Sequence, residues 1–456
     1  MIRRLTTRCH SGLLGIAVMG MAATAAAQAS GSALPATSRT RATLHDSLTT
    51  SYVVDGVRVI HRLTPANDVV AANVYLLGGV RQVGPDVAGV EPLLLEASDR
   101  GTRDYPGDRI RATLARLGST IVVDPETDWT MFGLRATRDG FDSTWAVMAS
   151  RLMNPTLDSA QLGLVREQLL AAVRQRADNP DALVAFMADT FAFAGHPYAR
   201  STLGTEHTLA RLTVSDLKRY HAEQVVKSRI MVAIVGNVPR SRVERLITRT
   251  LAKLPAGNYR WTLPDSVPAR TAGFAIEPRS LPTNYLLGYY LGPPAGSKDY
   301  QALRIAAAVL SGQLFAEIRS RRNLTYAVDA PFVERAIASG GLYVTTVSPD
   351  TTLALMRQQV SALQQGTIDR ESLERLVQQF ITEYFLNNET NAEQANFLAR
   401  AQLYRGDFRI ADLFVDELRE VTPEDVQRVA RQYMRNIRFA YVGNAERLSA
   451  RSQRSF

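Results

Sequence analysis

One short pattern occurs twice in this chain, and that repeat constrains the fold more than any other feature of the sequence. Residues 212–219 read Leu-Thr-Val-Ser-Asp-Leu-Lys-Arg, and residues 421–428 read Val-Thr-Pro-Glu-Asp-Val-Gln-Arg. Both segments predict a helix that begins with a capping box, because the threonine can accept from first-turn amides and the aspartate favours the helix N-terminus. An apolar strand ending in Val-Gly-Asn follows each copy. We therefore expect two halves of similar topology.

Turn residues and apolar periodicity give the same α+β plan for both halves. In the first half, an Asp-Gly turn inside 52–60 predicts a β-hairpin, and the stripe from Leu162 to Val173 predicts the buried face of a long helix. The predicted elements are a hairpin at 52–60, strands at 69–77, 119–124 and 128–136, helices at 91–99, 106–117 and 158–176, then a strand at 283–290 and separate helices near 299–310 and 313–321.

Composition and the positions of turn-forming residues predict the boundaries of the domains. With 456 residues, 46% of them hydrophobic, the chain has material for more than one core. The segment 254–268 is rich in turn formers and is typical of a linker. We expect an N-terminal α+β domain at 46–254, a linker at 255–270 and a C-terminal α+β domain at 271–447, each with a mostly antiparallel sheet and helices packed on one face.

The N-terminus resembles a secretory signal peptide. Three arginines precede a short apolar run from Leu13 to Ala27, and cleavage after Ala27 or Ala29 fits the small-residue rule. Residues 1–29 are therefore the expected signal and 30–45 a disordered leader. Cys9 is the only cysteine and lies inside the signal. We expect a periplasmic or extracellular protein without disulfides and without a transmembrane anchor.

The charge pattern argues against nucleic acid as a partner. The formal net charge is +9, but the basic residues are scattered and form no stripe interleaved with aromatic residues. The six histidines show no pair at metal-ligand spacing, and His196 in its His-Pro-Tyr segment is more typical of a loop hydrogen bond than of a ligand.

Residues 89–102 have the frame of a zinc-peptidase helix without its ligands. The segment reads Gly-Val-Glu-Pro-Leu-Leu-Leu-Glu-Ala-Ser-Asp-Arg-Gly-Thr and resembles the G-x-x-H-x-x-E-H-x4-G-T motif of the pitrilysin/insulinase (inverzincin) zinc peptidases. On that frame Pro92 and Glu96 stand where the two histidines belong, and Leu95 stands where the catalytic glutamate belongs. Proline cannot ligate zinc and leucine cannot act as a base.

The resemblance also locates the family's third zinc ligand, which is a glutamate. Counting back from the Asp-Asn-Pro segment that ends at Pro180 puts Ala172 at that position, and one gap would move it to Glu167. In either case both imidazoles are missing, so we expect no metal on this chain and treat Pro92, Leu95, Glu96 and Ala172 as degenerate positions.

The second half keeps a motif that the family uses for substrate. Residues 318–328 read Ile-Arg-Ser-Arg-Arg-Asn-Leu-Thr-Tyr-Ala-Val and resemble the family's L-R-e-x-x-G-L-a-Y-s-V. The resemblance implies that Arg319 and Tyr326 contact the substrate backbone near a metal, since guanidinium can hold a peptide carbonyl and a phenol can stabilise an oxyanion. Asn323 replaces the motif's glycine, which suggests a changed loop.

The family has a bacterial two-chain form in which one subunit carries the zinc and the other supplies the arginine and tyrosine. This chain is similar to the second subunit, which implies half of a clamshell, a homologous zinc-bearing partner, an extended peptide substrate and no turnover by the chain alone. Two alternatives remain open. One is a non-enzymatic envelope scaffold or peptide-binding protein, and the other is a lone peptidase with an aberrant metal site around Glu96.

Overall fold

The computed structural model describes residues 48–268 and 270–454. The predicted signal peptide and leader lie outside these residues, and no helix within them is long and apolar enough to cross a membrane. The strands are β1 Thr49–Val54, β2 Val57–Leu63, β3 Val69–Leu77, β4 Thr120–Pro125, β5 Trp129–Thr137, β6 Ile230–Gly236, β7 Gly273–Pro278, β8 Asn284–Pro294, β9 Val328–Asp329, β10 Phe332–Val333, β11 Ile337–Thr346 and β12 Arg438–Gly443.

Helices account for most of the remaining residues. They are α1 Val90–Ala97, α2 Gly107–Leu117, α3 Phe141–Met153, α4 Ser159–Asp178, α5 Pro180–Ala192, α6 Glu206–Arg211, α7 Val214–Gln224, α8 Arg240–Arg249, α9 Asp299–Leu314, α10 Pro349–Gln365, α11 Arg370–Asn387, α12 Asn391–Arg405, α13 Phe414–Arg419 and α14 Pro423–Tyr433.

The two halves contain sheets of matching order, which confirms the α+β class and the two sheet-bearing halves. The first sheet runs β1-β2-β6-β3-β5-β4 and the second runs β10-β11-β8-β12-β7, with β9 also paired to β11. Each sheet has one parallel pair, β2 with β6 in the first and β7 with β12 in the second, and β6 and β12 are the last strands of their halves. The other pairs are antiparallel.

Local sequence signals produced the expected elements at several places. The β1–β2 hairpin turns at Asp55 and Gly56, both of which have positive φ as an Asp-Gly hairpin turn requires. Thr213 and Thr422 form capping boxes with Asp216 and Asp425, as the repeat predicts. The expectation of separate helices near 299–310 and 313–321 was wrong. There α9 continues without a break into a π-helical segment, Phe315–Arg321.

Both faces of each sheet are buried, although only one face packs on helices of its own half. On the first sheet, strand side chains of one face join α1, α3, α4, α7 and α8 in a large core, and on the second sheet the matching face joins α9, α10, α11 and α14. The opposite face of the first sheet is covered by α12, which belongs to the second half. In the same way α5 of the first half covers the opposite face of the second sheet.

A buried carboxylate ties the two halves together. Asp128 is 1% exposed, and its Oδ2 accepts from the hydroxyls of Tyr198 at 2.6 Å and Tyr404 at 3.0 Å. Arg81 lies 3.3 Å from Asp128 Oδ1 and stacks on Trp261 of the predicted linker. The segment predicted as a linker therefore packs on the folded halves.

Candidate functional site

Helix α1 holds the three degenerate positions at the start of the first half. Gly89 precedes it with a φ of +89°, and a Cβ there would stand 2.7 Å from the Leu203 carbonyl oxygen, so the motif's glycine is required by close backbone approach. Pro92 and Leu95 are buried. Their side chains fill space in the helix packing where the family has a ligand and a base.

Glu96 lies in an environment unlike that of a zinc ligand. Burial raises the pKa of its carboxyl, and Arg151 opposes this rise more weakly. Glu96 also has no partner ligand at the motif positions of its helix, because the side chains of Pro92 and Leu95 carry no atom that binds zinc. Within residues 48–268 and 270–454, no group of three or more His, Cys, Asp or Glu side chains is placed to hold a metal.

The two alternatives for the third ligand both lie on α4. Ala172 is half-buried on the side of the helix that packs on the core, whereas Glu167 is exposed. Helix α4 lies against α1. Ala172, the residue on the core side of α4, has only a methyl group and cannot bind zinc. The glutamate ligand of the family is therefore missing at this position, as the two imidazoles are at theirs.

A buried ion pair beside these positions was not foreseen from the sequence. Glu91 is 2% exposed, and its Oε2 lies 2.8 Å from Arg229 Nη2 and accepts from the Tyr220 hydroxyl at 2.7 Å. Arg229 is fully buried and also donates to the Leu77 carbonyl at 2.6 Å. Burial alone would lower the pKa of Arg229, but the Glu91 carboxylate holds it above its usual value.

A narrow cleft of about 20 Å³, open in part to solvent, lies next to this pair. Glu91 and Pro92 form one wall, and the end of β4 forms another through Pro125 and Glu126. The remaining lining residues are Gly79, Val80, Val83, Ala88, Gly89, Thr130, Arg200, Ser201 and Thr202. The degenerate helix therefore still borders a cavity, but one built without metal ligands.

The structure brings Arg319 and Tyr326 together on the surface of the second half. The Arg319 guanidinium carbon lies 5.5 Å from the centre of the Tyr326 ring and 5.0 Å from that of Phe315. Tyr326 is 88% exposed and Phe315 is 44% exposed. We call these three residues the arginine–tyrosine cluster. Its guanidinium N–H groups and phenol are open to a bound molecule or a partner chain.

Two backbone features present the arginine–tyrosine cluster. Arg319 lies in the π-helical segment, a conformation that is rare and is frequent at functional sites. Asn323 has a φ of +50°, the left-handed conformation that a glycine would adopt there and that asparagine tolerates better than most residues. Asparagine therefore occupies this position with less strain than another side chain would cause.

Strand β4 is an edge of the first sheet and lies beside α1. Only β5 pairs with it within the described residues. The main-chain groups on its other side can therefore bind an extended segment from another chain. His196, by contrast, accepts from the Tyr198 amide through Nδ1 at 3.2 Å, which matches the loop hydrogen bond expected for it.

Family models match most of the chain. Residues 58–206 match the insulinase (peptidase family M16) model, and residues 211–380 match the model of the peptidase M16 inactive domain. The first match lies within the first half, whereas the second begins at the end of α6 in the first half and extends into α11 of the second.

Some relatives of similar length are named as proteases and others as non-peptidase homologues. A Bacillus subtilis (strain 168) protein named Uncharacterized zinc protease YmxG is 22% identical over 389 residues, which cover 83% of this chain and 93% of the relative. A Helicobacter pylori protein named Non-peptidase homolog YmxG is also 22% identical, over 68% of this chain and 73% of its own.

Solved structures share the fold. The crystal structure of a peptidase M16 inactive domain from Pseudomonas fluorescens matches with a TM-score of 0.78 at 20% identity, over 87% of this chain and 98% of that one. A protease from Helicobacter pylori matches with a TM-score of 0.79 at 16% identity, over 87% and 99%. At these identities the likeness establishes the architecture and leaves activity to the residues of each site.

Proposed function

The chain belongs to peptidase family M16, and from that premise we propose that it is the zinc-free subunit of a two-chain zinc peptidase. One contrast carries the proposal. The zinc positions hold Pro92, Leu95 and Glu96, whereas Arg319 and Tyr326 meet on an exposed surface. In the assembly, this chain's arginine–tyrosine cluster lies next to the zinc of a homologous partner.

Each residue of the pair has a distinct task in this proposal. Arg319 donates to a carbonyl of the bound peptide, which orients the scissile bond. The Tyr326 hydroxyl would donate to the negative charge that develops on the carbonyl oxygen of that bond. The partner's zinc supplies the activated water. Since neither side chain is buried, both can serve a second chain without disturbing the core of their own.

The peptide itself is held by main-chain pairing. Strand β4 lies at the edge of the first sheet and accepts an extended segment as an additional strand, which gives affinity without demanding one particular sequence. We further propose that residues 1–29 direct the protein to the periplasm or the exterior and are removed there. Such a location matches a peptidase acting on unfolded chains outside the cytoplasm.

The experiment pairs this chain with a homologue that has an intact H-x-x-E-H motif and measures cleavage of an unstructured peptide library. Tyr326→Phe should lower turnover by about a hundredfold, the order found when one oxyanion donor is removed. Tyr105→Phe is the matched control, because Tyr105 also lies under an arginine, with Arg109 at 5.7 Å from its ring.

Three outcomes are informative. Turnover that falls for Tyr326→Phe but not for Tyr105→Phe supports the accessory role. Unchanged turnover in both variants, with the complex intact, refutes that role and favours the alternative of a non-enzymatic scaffold. Cleavage by the chain alone, sensitive to a chelator, would contradict the zinc-free assignment and favour an aberrant metal site.

A further inference from the structure

The cleft beside α1 contains a buried acceptor that nothing in the described part of the chain satisfies. Glu91 Oε1 has no hydrogen-bond partner there, although the residue is only 2% exposed and lines the cleft. We propose that this cleft binds a primary ammonium group, that of a lysine side chain in the peptide. The peptide part of this inference rests on the proposed function, whereas the ammonium site stands on the cleft itself.

The contacts of Glu91 divide its carboxylate into a satisfied and an unsatisfied oxygen. Oε2 receives Arg229 and Tyr220, and neither of these residues lines the cleft. Oε1 is left for a donor that comes from the cleft side. Burial of an acceptor without a donor is costly, and an ammonium group has three N–H donors and no acceptor.

The walls of the cleft are held in place and cannot close over the carboxylate. A Cβ at Gly79 would stand 2.4 Å from the Thr127 carbonyl oxygen, so backbone already fills the space behind that wall. Pro92 has no amide hydrogen to offer Glu91 and a ring that cannot swing aside. The carboxylate of Glu91 therefore stays beside a narrow opening that the neighbouring walls do not close.

The charges around the cleft favour a donor-only guest. Glu126 adds a second carboxylate to the lining. Arg200 is the cation of the lining, but its Nη1 already donates to the carbonyls of Val80 at 3.2 Å and Val83 at 2.9 Å. Among the lining hydroxyls, that of Ser201 already accepts from Arg176 Nη1 at 3.0 Å, and those of Thr130 and Thr202 supply further acceptors.

The position of the cleft connects it to the peptide-binding edge. Strand β4 ends at Pro125, and both Pro125 and Glu126 line the cleft. A peptide that extends β4 as a further strand passes this end, where one of its side chains can enter. Lysine fits because its charge sits on a long flexible stem, which can reach a recessed carboxylate.

The first test uses the purified full chain and two small probes, N-acetyl-lysine methylamide and N-acetyl-norleucine methylamide. They differ by the ammonium group that the cleft is proposed to recognise. Titration monitored by ligand NMR should give a Kd about tenfold lower for the lysine probe, as one charge-assisted hydrogen bond at a partly open site provides. Equal affinities, or no binding of either probe, would overturn the proposal.

Variants locate the binding in the cleft. Thr202→Phe should fill the cleft and abolish the preference for lysine, because Thr202 is a half-buried lining residue. Thr351→Phe is the control, since Thr351 is exposed on α10 and outside the cleft. Glu91→Gln is a second variant that keeps the side-chain shape and should remove most of the preference. A preference that survives both Thr202→Phe and Glu91→Gln would place the ammonium elsewhere and refute the site.

Peptides then separate this inference from the proposed function. A series of N-acetylated extended peptides carries one lysine at successive positions, and a parallel series carries norleucine. Peptides that bind with equal affinity in both series would refute the lysine subsite and leave peptide capture standing. A lysine-probe preference without any peptide binding would support the ammonium site and contradict capture along β4.

Discussion

Breaking the buried pair of Glu91 and Arg229 should strongly destabilise the fold, and Arg229→Met tests this. The two residues are 2% and 0% exposed, and their charged atoms lie 2.8 Å apart. Methionine keeps much of the arginine stem, so the main loss is the charge that compensates Glu91 and the donor to the Leu77 carbonyl. Removing one partner of a buried ion pair costs about 3–5 kcal/mol of unfolding free energy.

An exposed pair provides the matched control. Arg240 and Glu244 are separated by 2.7 Å but are 56% and 39% exposed, so Arg240→Met should cost less than about 1 kcal/mol. Urea unfolding followed by far-UV circular dichroism compares the two variants with the parent chain. In the double variant Glu91→Leu/Arg229→Met, most of the loss should be recovered, because no buried charge is left without a partner.

Either of two results would contradict the predicted cost of leaving Glu91 without its partner. If Arg229→Met costs no more than Arg240→Met, water or a neighbouring group satisfies Glu91 and the burial of the pair has no energetic consequence. If the double variant is as unstable as the single one, the loss comes from packing or from the Leu77 carbonyl and not from the uncompensated carboxylate.

Three further predictions address other residues. Glu96→Gln should stabilise the chain at pH 7 and have little effect near pH 4, because burial raises the pKa of Glu96 and its ionised form is penalised only above that value. Thermal melts between pH 4 and 8 measure this effect. A difference in stability that stays constant across that range would contradict the prediction. Thr213→Ala and Thr422→Ala should each cost about 1 kcal/mol, since each removes the side-chain half of a capping box, whereas exposed Thr351→Ala should cost less in the same urea titration. Asn323→Ala should lower the free energy of unfolding by about 1–2 kcal/mol and Asn323→Gly by much less, because the φ of +50° disfavours a side chain other than asparagine. Equal losses in the two variants would show that the side-chain amide matters more than the backbone conformation.

The parts of the fold that could be predicted from sequence are those set by neighbouring residues. The Asp55-Gly56 turn and the capping boxes of Thr213 and Thr422 involve groups at most three residues apart, so their physics is readable from the chain. The family frame likewise located Pro92 and Leu95 on one helix. The continuous join between α9 and the π-helical segment could not be predicted, because α-helical and π-helical turns suit the same types of residue.

Features set by distant contacts carried no sequence signal. In the sequence, Glu91 is a single charged residue in an apolar helix. Its pairing with Arg229 depends on the fold and could not be predicted from nearby residues. Helix α5 is apolar and begins with a helix-capping Asn179 followed by proline, which predicts a buried helix but not which sheet it covers. For the arginine–tyrosine cluster, the sequence predicted the residues, and the structure added their proximity and exposure.

The exchange of α5 and α12 between the halves means that the chain is one cooperative unit despite its internal repeat. Each sheet has a face that only the other half can cover, so neither half expressed alone would be free of a large exposed apolar surface. Cutting the backbone between 254 and 270 should therefore leave two fragments that remain associated and unfold together. If the two halves arose by gene duplication, they can no longer fold as separate proteins, because each half needs one helix of the other to bury its sheet.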